Sequence, residues 1–438
     1  ADRDWSSDVC SSDLKAGQPL RPAIIWADQR RARAPGKQPA PVKLAFRALG
    51  LVETIQAFEE QAESNWIAQN QPDVWAATDK FLLLSGYLTY RMTGRMADSI
   101  GAQVGYIPFD FKQQDWCGPR DWKWASLGIK RSMLPELVRP GEQIGTVTAE
   151  AASETGIAAD LPVIAGASDK ACEVIGSGAT SPHIGAISAG TTATFNVTST
   201  RYFEAVPLVP PYAAALPGSF NIEAQVMRGY WMVSWFARQF GLAERLRGEG
   251  EGKPAEAYFD ELIASTPPGA QGLMLQPFWN PGIRDPGPEA RGSIVGFTDS
   301  HTRAHLYRAI IEGLTYALRS GKEAIERRGK VAITTLRVAG GGSQSDGVMQ
   351  IIADIFNLPA QRAAHYEASG LGAAVIGWVG LGHYPDFDAA FAAMIDEGRC
   401  FQPDPATAAL YDQLYREVYA KLYPQVKPLF RAMQRIGL

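Results

Sequence analysis

Short apolar runs alternate with amphipathic stretches along this chain. Residues 161–166 (LPVIAG) are apolar and bounded by turn residues, which predicts a buried strand. Residues 22–26 (PAIIW), 185–188, 193–197, 273–277 and 336–339 read the same way. The second and third of these flank Gly190, Thr191 and Thr192, which predicts a hairpin tipped by glycine and two hydroxyls. Residues 302–328 carry Leu306, Ile310, Leu314, Ala317 and Leu318 on one stripe, which predicts a long helix. Further helices are expected from Thr78 or Asp79 to Met92, from Thr148 to Gly156, over 228–240, 345–356 and 370–380, and after Pro405. Strands and helices alternate in both halves, so the fold class is α/β. The natural cut falls in residues 176–182 (GSGATSP).

Residues 3–14 (RDWSSDVCSSDL) follow neither period, and SSDV and SSDL nearly repeat. The stretch resembles translated sequencing adapter. Residues 1–14 are therefore expected to be foreign to the fold and are set aside from it.

Composition narrows the function classes. The 42 basic and 46 acidic residues give a net charge of −4, with no basic stripe for nucleic acid. The four cysteines are scattered, with no CxxC pair, so neither a disulfide framework nor a zinc ribbon is indicated. No unbroken apolar run reaches the ~20 residues of a membrane span. A cytoplasmic location and no membrane partner are expected.

Four groups of residues can carry chemistry, and each also has a purely structural reading. Asp169 follows the strand at 161–166; it fits a helix N-cap as well as a general base at a strand's carboxyl edge. Lys170 beside it either touches substrate or faces solvent. The tip Gly190-Thr191-Thr192 suits phosphate oxygens or an ordinary tight turn. Gly340, Gly341 and Gly342, with Ser343, follow a strand; they allow a flat ligand close to the backbone, or simply turn the chain. Their spacing is neither GxGxxG nor a P-loop. Trp26, Asp28, Arg30 and Asp98 combine carboxylates, a guanidinium and an aromatic ring, a set that suits polyol hydroxyls or surface packing. His301 and His305 have helical metal-ligand spacing without a third ligand, and Cys172 has no histidine partner, so neither is read as a site.

The ordered series WADQR, TGRMADSIGAQ, GASDKACEVIGSG, ISAGTTATFNV, RVAGGGSQSD and EASGLGAAVIG resembles the FGGY family of carbohydrate kinases from Leu20 onward. The resemblance implies two actin-like, ribonuclease-H-like lobes around a cleft: a partial sugar-binding lobe over 15–178 and a nucleotide-binding lobe over 179–438. It implies ATP-dependent phosphorylation of a sugar hydroxyl on a pentulose, related ketose or polyol, with magnesium accompanying ATP. Asp169 matches the catalytic aspartate. Trp26, Asp28, Arg30, Asp98 and Lys170 are expected at the sugar, and Gly190, Thr191, Thr192, Gly340, Gly341, Gly342 and Ser343 at the nucleotide; no protein metal ligand is assigned. A homodimer is common in such a family. The family's opening DxGT-type loop has no counterpart before Pro22, so an incomplete first lobe with little activity is expected of the chain as it stands. A non-catalytic sugar or nucleotide binder is the alternative.

Overall fold

A computed structural model describes residues 9–12, 17–25, 28, 30–207, 209–280, 282, 286–365 and 367–437. The chain forms two compact units. The first comprises Ala1–Cys172, Tyr212–Phe220 and Ala373–Ala390; the second comprises Glu173–Pro211, Asn221–Gly372 and Phe391–Leu438.

The first unit is assembled from paired short strands and helices. Ala97–Ser99 runs parallel to Glu136–Val138, and Gln143–Thr146 runs antiparallel to Pro162–Ile164. Residues 9–12, set aside as foreign, run as a strand antiparallel to Lys80–Leu83. That pairing changes one expected element. The helix predicted from residue 78 or 79 begins only at Leu84, because Phe81, Leu82 and Leu83 are buried along a strand. A four-residue apolar run reads equally well either way, and here strand pairing decides it. Gly94, at φ +70°, ends the helix as predicted. Among the described residues of the strand expected over 22–26, only Ile24 forms a bridge. Its side chain joins a core of Ile67, Phe81, Phe109, Trp116 and Leu127. The helix Ala149–Thr155 has the caps the sequence predicts: Thr148 accepts from the Ala151 N–H at 3.2 Å, and Gly156 turns left-handed.

The second unit is built on one sheet. Its strands lie in the order Phe220–Val226, Ala193–Ser199, Ile184–Ala189, Thr335–Ala339, Ala360–Ala363, Glu397–Phe401. Thr335–Ala339 is parallel to both of its neighbours, and Ala193–Ser199 returns antiparallel to Ile184–Ala189. Ala193–Ser199 is buried at every position, consistent with cover on both faces. The helix Arg303–Gly329 packs on this strand and on the helix Asp346–Phe356. The C-terminal helices Pro405–Leu414 and Ala420–Arg435 are joined by a π-turn, Tyr415–Tyr419. The extra residue per turn brings Tyr415 and Tyr419 inward onto Tyr316, with ring centroids 5.9 and 5.0 Å away.

Glu289 ties this C-terminal region down, accepting from the Tyr423 hydroxyl at 2.6 Å and pairing with Lys427 at 2.9 Å. Burial raises its carboxyl, but these partners outweigh burial and hold it at about 2. A depressed carboxyl contributes stability above its unfolded value near 4.5, and loses that contribution as pH falls toward 2. Glu289→Gln is expected to destabilise the protein by roughly 1.5–3 kcal/mol at pH 7. Thermal melts should show this gap closing between pH 4.5 and 2.

Candidate functional site

In the first unit, Asp169 opens the helix Asp169–Gly176, two turns that follow the strand Pro162–Ile164. Its carboxylate is half-buried and accepts from the Lys170 N–H at 2.6 Å. The preceding residue, Ser168, supplies the capping oxygen: its hydroxyl accepts from the Ala171 N–H at 3.3 Å and its carbonyl from the Cys172 N–H at 2.9 Å. Ser168 thus holds the N-cap position, and Asp169, as the first helical residue, takes up the Lys170 N–H. Lys170 is half-buried.

Asp28 and Arg30 form a compact pair. Arg30 donates from Nε to Asp28 Oδ1 at 2.8 Å, and Nη2 meets Oδ2 at 2.6 Å. Arg30 holds the Asp28 carboxyl below the usual carboxylate range. The guanidinium lies over the Trp66 ring, 4.3 Å from its centroid. One turn earlier on that helix is Glu63, whose carboxyl burial pushes up to about 7, with the nearby charge of Asp28 adding to the rise. Tyr106 sits in the same region and donates to Gln61 at 2.5 Å. Glu63, Trp66 and Tyr106 carry no sequence signal, because ESNW reads as an ordinary amphipathic segment. Trp26 lies outside the described residues.

Asp98 takes its hydrogen bonds from residues other than that pair. It is 1% exposed on the strand Ala97–Ser99, and burial pushes its carboxyl up to about 6. Ser85 and Gln103 side chains donate to it at 2.9 and 2.8 Å, and the Ser99 N–H donates at 2.8 Å.

In the second unit, three turns approach at backbone distance. The hairpin strands Ile184–Ala189 and Ala193–Ser199 pair Ala189 with Ala193, leaving Gly190, Thr191 and Thr192 as the tip. The Tyr230 N–H donates to Gly190 O at 3.0 Å and the Trp231 N–H to Thr191 O at 3.4 Å. The helix expected over 228–240 therefore starts only at Trp231, because the residues before it are spent on this contact. A Cβ on Gly229 would meet the Ala193 N at 2.2 Å. Gly340, at φ +85°, lies against the Ala189 backbone, and a Cβ on Gly342 would meet the Tyr230 ring at 2.6 Å. Gly341 is different: it is exposed and nothing lies within 4 Å of its Cβ position. Thr191 and Gly190 are partly exposed. Thr192 is buried and donates to Met227 O at 3.2 Å, and the Ser343 hydroxyl donates to Gly340 O at 2.7 Å.

Arg362 fixes the loop from outside, donating to Ser343 O at 2.6 Å and to Asp346 at 2.5 Å. Tyr230 and Arg362 are supports that sequence patterns did not reveal; the glycine at 229 was the one available signal.

The two side groups read as decoys stay outside the site. His301 and His305 each accept a backbone N–H at Nδ1, from Thr298 at 2.9 Å and Thr302 at 3.2 Å. Their neutral forms then carry the proton on Nε2, which leaves no lone pair for a metal. Burial pushes the Cys172 thiol up to about 11. Among the described residues no three His, Cys, Asp or Glu side chains gather as a metal cluster, and no helix is long and apolar enough to cross a membrane.

This two-unit α/β architecture is the actin-like, ribonuclease-H-like fold of carbohydrate kinases. A solved structure of xylulose kinase from Rhodospirillum rubrum superposes with a TM-score of 0.78 at 26% identity, covering 97% of this chain and 83% of that one. The family model "FGGY family of carbohydrate kinases, N-terminal domain" matches residues 7–176, and the C-terminal domain model matches 185–381. A protein described as uncharacterized sugar kinase YgcE of Escherichia coli (strain K12) is 32% identical over 94% of this chain and 76% of its own length. Xylulose kinase of Lactococcus lactis is 27% identical over 93% and 78%. The chain belongs to the FGGY family of carbohydrate kinases. It is a sugar kinase, a transferase acting on a sugar.

Two predictions follow from the geometry. Gly342→Ala forces a methyl into Tyr230 and Ala189 and should cost about 1–3 kcal/mol. Gly341→Ala should leave stability within about 0.5 kcal/mol, so any rise in its nucleotide KM reports ligand contact alone. Glu63 carries the opposite pH sign to Glu289. Its raised carboxyl disfavours the folded state increasingly as pH rises from about 4.5 to about 7. Glu63→Gln should therefore gain stability relative to the parent across that window in thermal melts, and the gain should level off above it.

Proposed function

We propose that this chain transfers the γ-phosphoryl group of ATP to a hydroxyl of a neutral ketose, most directly a pentulose, or of a related polyol. The observation that carries the reading is Asp169: a half-buried carboxylate at the start of a helix that Ser168 already caps. In this reading Asp169 accepts the proton of the attacking sugar hydroxyl. The sugar oxygen forms a bond to the γ-phosphorus as the bond to the ADP oxygen breaks. The name xylulose kinase, carried by the Lactococcus and Rhodospirillum proteins, supports a pentulose as the first substrate to try.

The sugar's remaining hydroxyls have partners in Asp28, Arg30 and Glu63, with Trp66 as an apolar wall. Glu63 near neutrality can either donate or accept a hydrogen bond. Two acids beside one guanidinium favour an uncharged substrate over a sugar acid. Lys170 next to Asp169 is assigned to the same substrate.

The nucleotide fits the second unit. Gly190, Thr191 and Gly341 present partly exposed backbone, which suits phosphate oxygens and a flat base. Gly340, Gly342, Thr192 and Ser343 hold those turns in shape. Magnesium bound with ATP offsets charge on the β- and γ-phosphates.

The test is ADP release measured by a coupled assay over ketopentoses, ketohexoses and pentitols, D-xylulose first. Turnover of an uncharged ketose supports this reading and overturns the expectation of little activity from an incomplete first lobe. Asp169→Asn should lower kcat by about 10²–10⁴-fold while retaining nucleotide binding. No ADP above background with any sugar would leave a binding protein in place of a kinase.

A further inference from the structure

We infer that Asp98 and Ser99 are positioning residues for Asp169: a turn built on the Asp98 carboxylate clamps the loop from which Asp169 projects. The inference rests on Asp169 being the base. It assigns Asp98 a role other than touching the sugar.

The Asp98 carboxylate has its acceptor sites occupied from within the first unit. Oδ2 accepts from Ser85 Oγ at 2.9 Å and Gln103 Nε2 at 2.8 Å, and Oδ1 accepts from the Ser99 N–H at 2.8 Å. Gly86 lies beneath it, where a Cβ would come within 3.2 Å of Oδ2. At 1% exposure no face remains for a substrate hydroxyl. What the carboxylate does is fold the chain into a turn. Gln103 also donates to the Ser99 carbonyl at 2.9 Å, closing residues 98–103 on themselves.

That turn meets the loop before Asp169 at three points. Ser99 Oγ donates to Gly166 O at 2.5 Å and accepts from the Gly101 N–H at 3.1 Å. The Ser168 N–H donates to Gly101 O at 2.8 Å. Gly101 and Ala167 form a parallel bridge so close that a Cβ on Gly101 would sit 2.8 Å from the Ala167 Cβ. Ile100 N–H donates to Val138 O at 2.8 Å, which anchors the turn to the strand Glu136–Val138. Gly166, Ala167 and Ser168 are the three residues immediately before Asp169, so the backbone that aims the base is fixed to a buried carboxylate two hydrogen bonds away. A catalytic group displaced by about 1 Å loses on the order of 10²-fold in rate, so such a clamp acts on kcat.

The experiment uses the full chain and whichever sugar it turns over. Ser99→Ala removes the hydroxyl that bridges Gly166 and Gly101, and Ser99→Thr restores a hydroxyl. Asp98→Asn sets an amide N–H₂ against donors from Ser85, Gln103 or Ser99. Expected are kcat losses of about 10–100-fold in Ser99→Ala and Asp98→Asn, with KM for sugar and for ATP within about threefold. Ser99→Thr should recover most of the loss. Thermal melts locate an assay temperature at which each variant is folded; if one is not, the other carries the test.

A lowered melting temperature with unchanged kcat would reduce the turn to a structural brace and overturn the inference. A raised sugar KM with kcat retained would make Asp98 a ligand and overturn it equally. Asp169→Asn, run alongside, separates the two levels. If it retains turnover, the base assignment itself fails. If it is inactive while Ser99→Ala and Asp98→Asn keep full kcat, only the positioning inference fails.

Discussion

A carboxylate taken out of water must find its hydrogen bonds inside the protein, and once it has them it can no longer move independently of its donors. Both units are organised around this constraint. In the first, Asp98 gathers Ser85, Ser99 and Gln103. In the second, Glu312 accepts from Arg308 at 2.7 Å, from Tyr411 at 2.6 Å and from the Gly269 N–H at 3.0 Å. Arg308 in turn donates to the carbonyls of Ile263 and Thr266. Breaking one partner of such a buried pair costs about 3–5 kcal/mol, because the other is left uncompensated. These acids are therefore fixed points of the backbone.

Glu63 shows the contrasting case. Burial raises its carboxyl to about 7, and its own N–H is the chief group that offsets that rise. The distinction between Asp98 and Glu63 lies in the donors around them, since both are acids removed from water. A polar group whose needs are met internally shapes the fold.

Much of the architecture was legible because it rests on local signals. Thr148 and Gly156 bracket a helix by capping chemistry, and Gly190-Thr191-Thr192 turns a hairpin whose flanking strands are apolar. The ordered motifs carried the family. Residues 80–83 were illegible because a strand needs its partner, and the partner is some seventy residues away in the chain. Tyr230 and Arg362 were missed for a related reason: each acts on a turn distant in sequence, through a backbone carbonyl that any residue type could supply. Asp98 carried the right residue type in a recognisable motif, yet its orientation into Ser85 and Gln103 depends on tertiary packing that spacing does not encode.

The glycines illustrate how one motif can hold two physical roles. In Gly340-Gly341-Gly342, the outer two are required by neighbours: Gly340 by the Ala189 backbone and a left-handed φ, Gly342 by the Tyr230 ring. The middle one has open space around it. Steric necessity thus accounts for two of the three and leaves Gly341 unexplained by the protein alone. A residue with no side chain, exposed, and free of any neighbour that would exclude one gains nothing for folding, since glycine costs backbone entropy relative to alanine. The same reasoning separates Asp169 from the N-cap itself: Ser168 holds that position, and Asp169 follows it as the first helical residue, its carboxylate accepting from the Lys170 N–H.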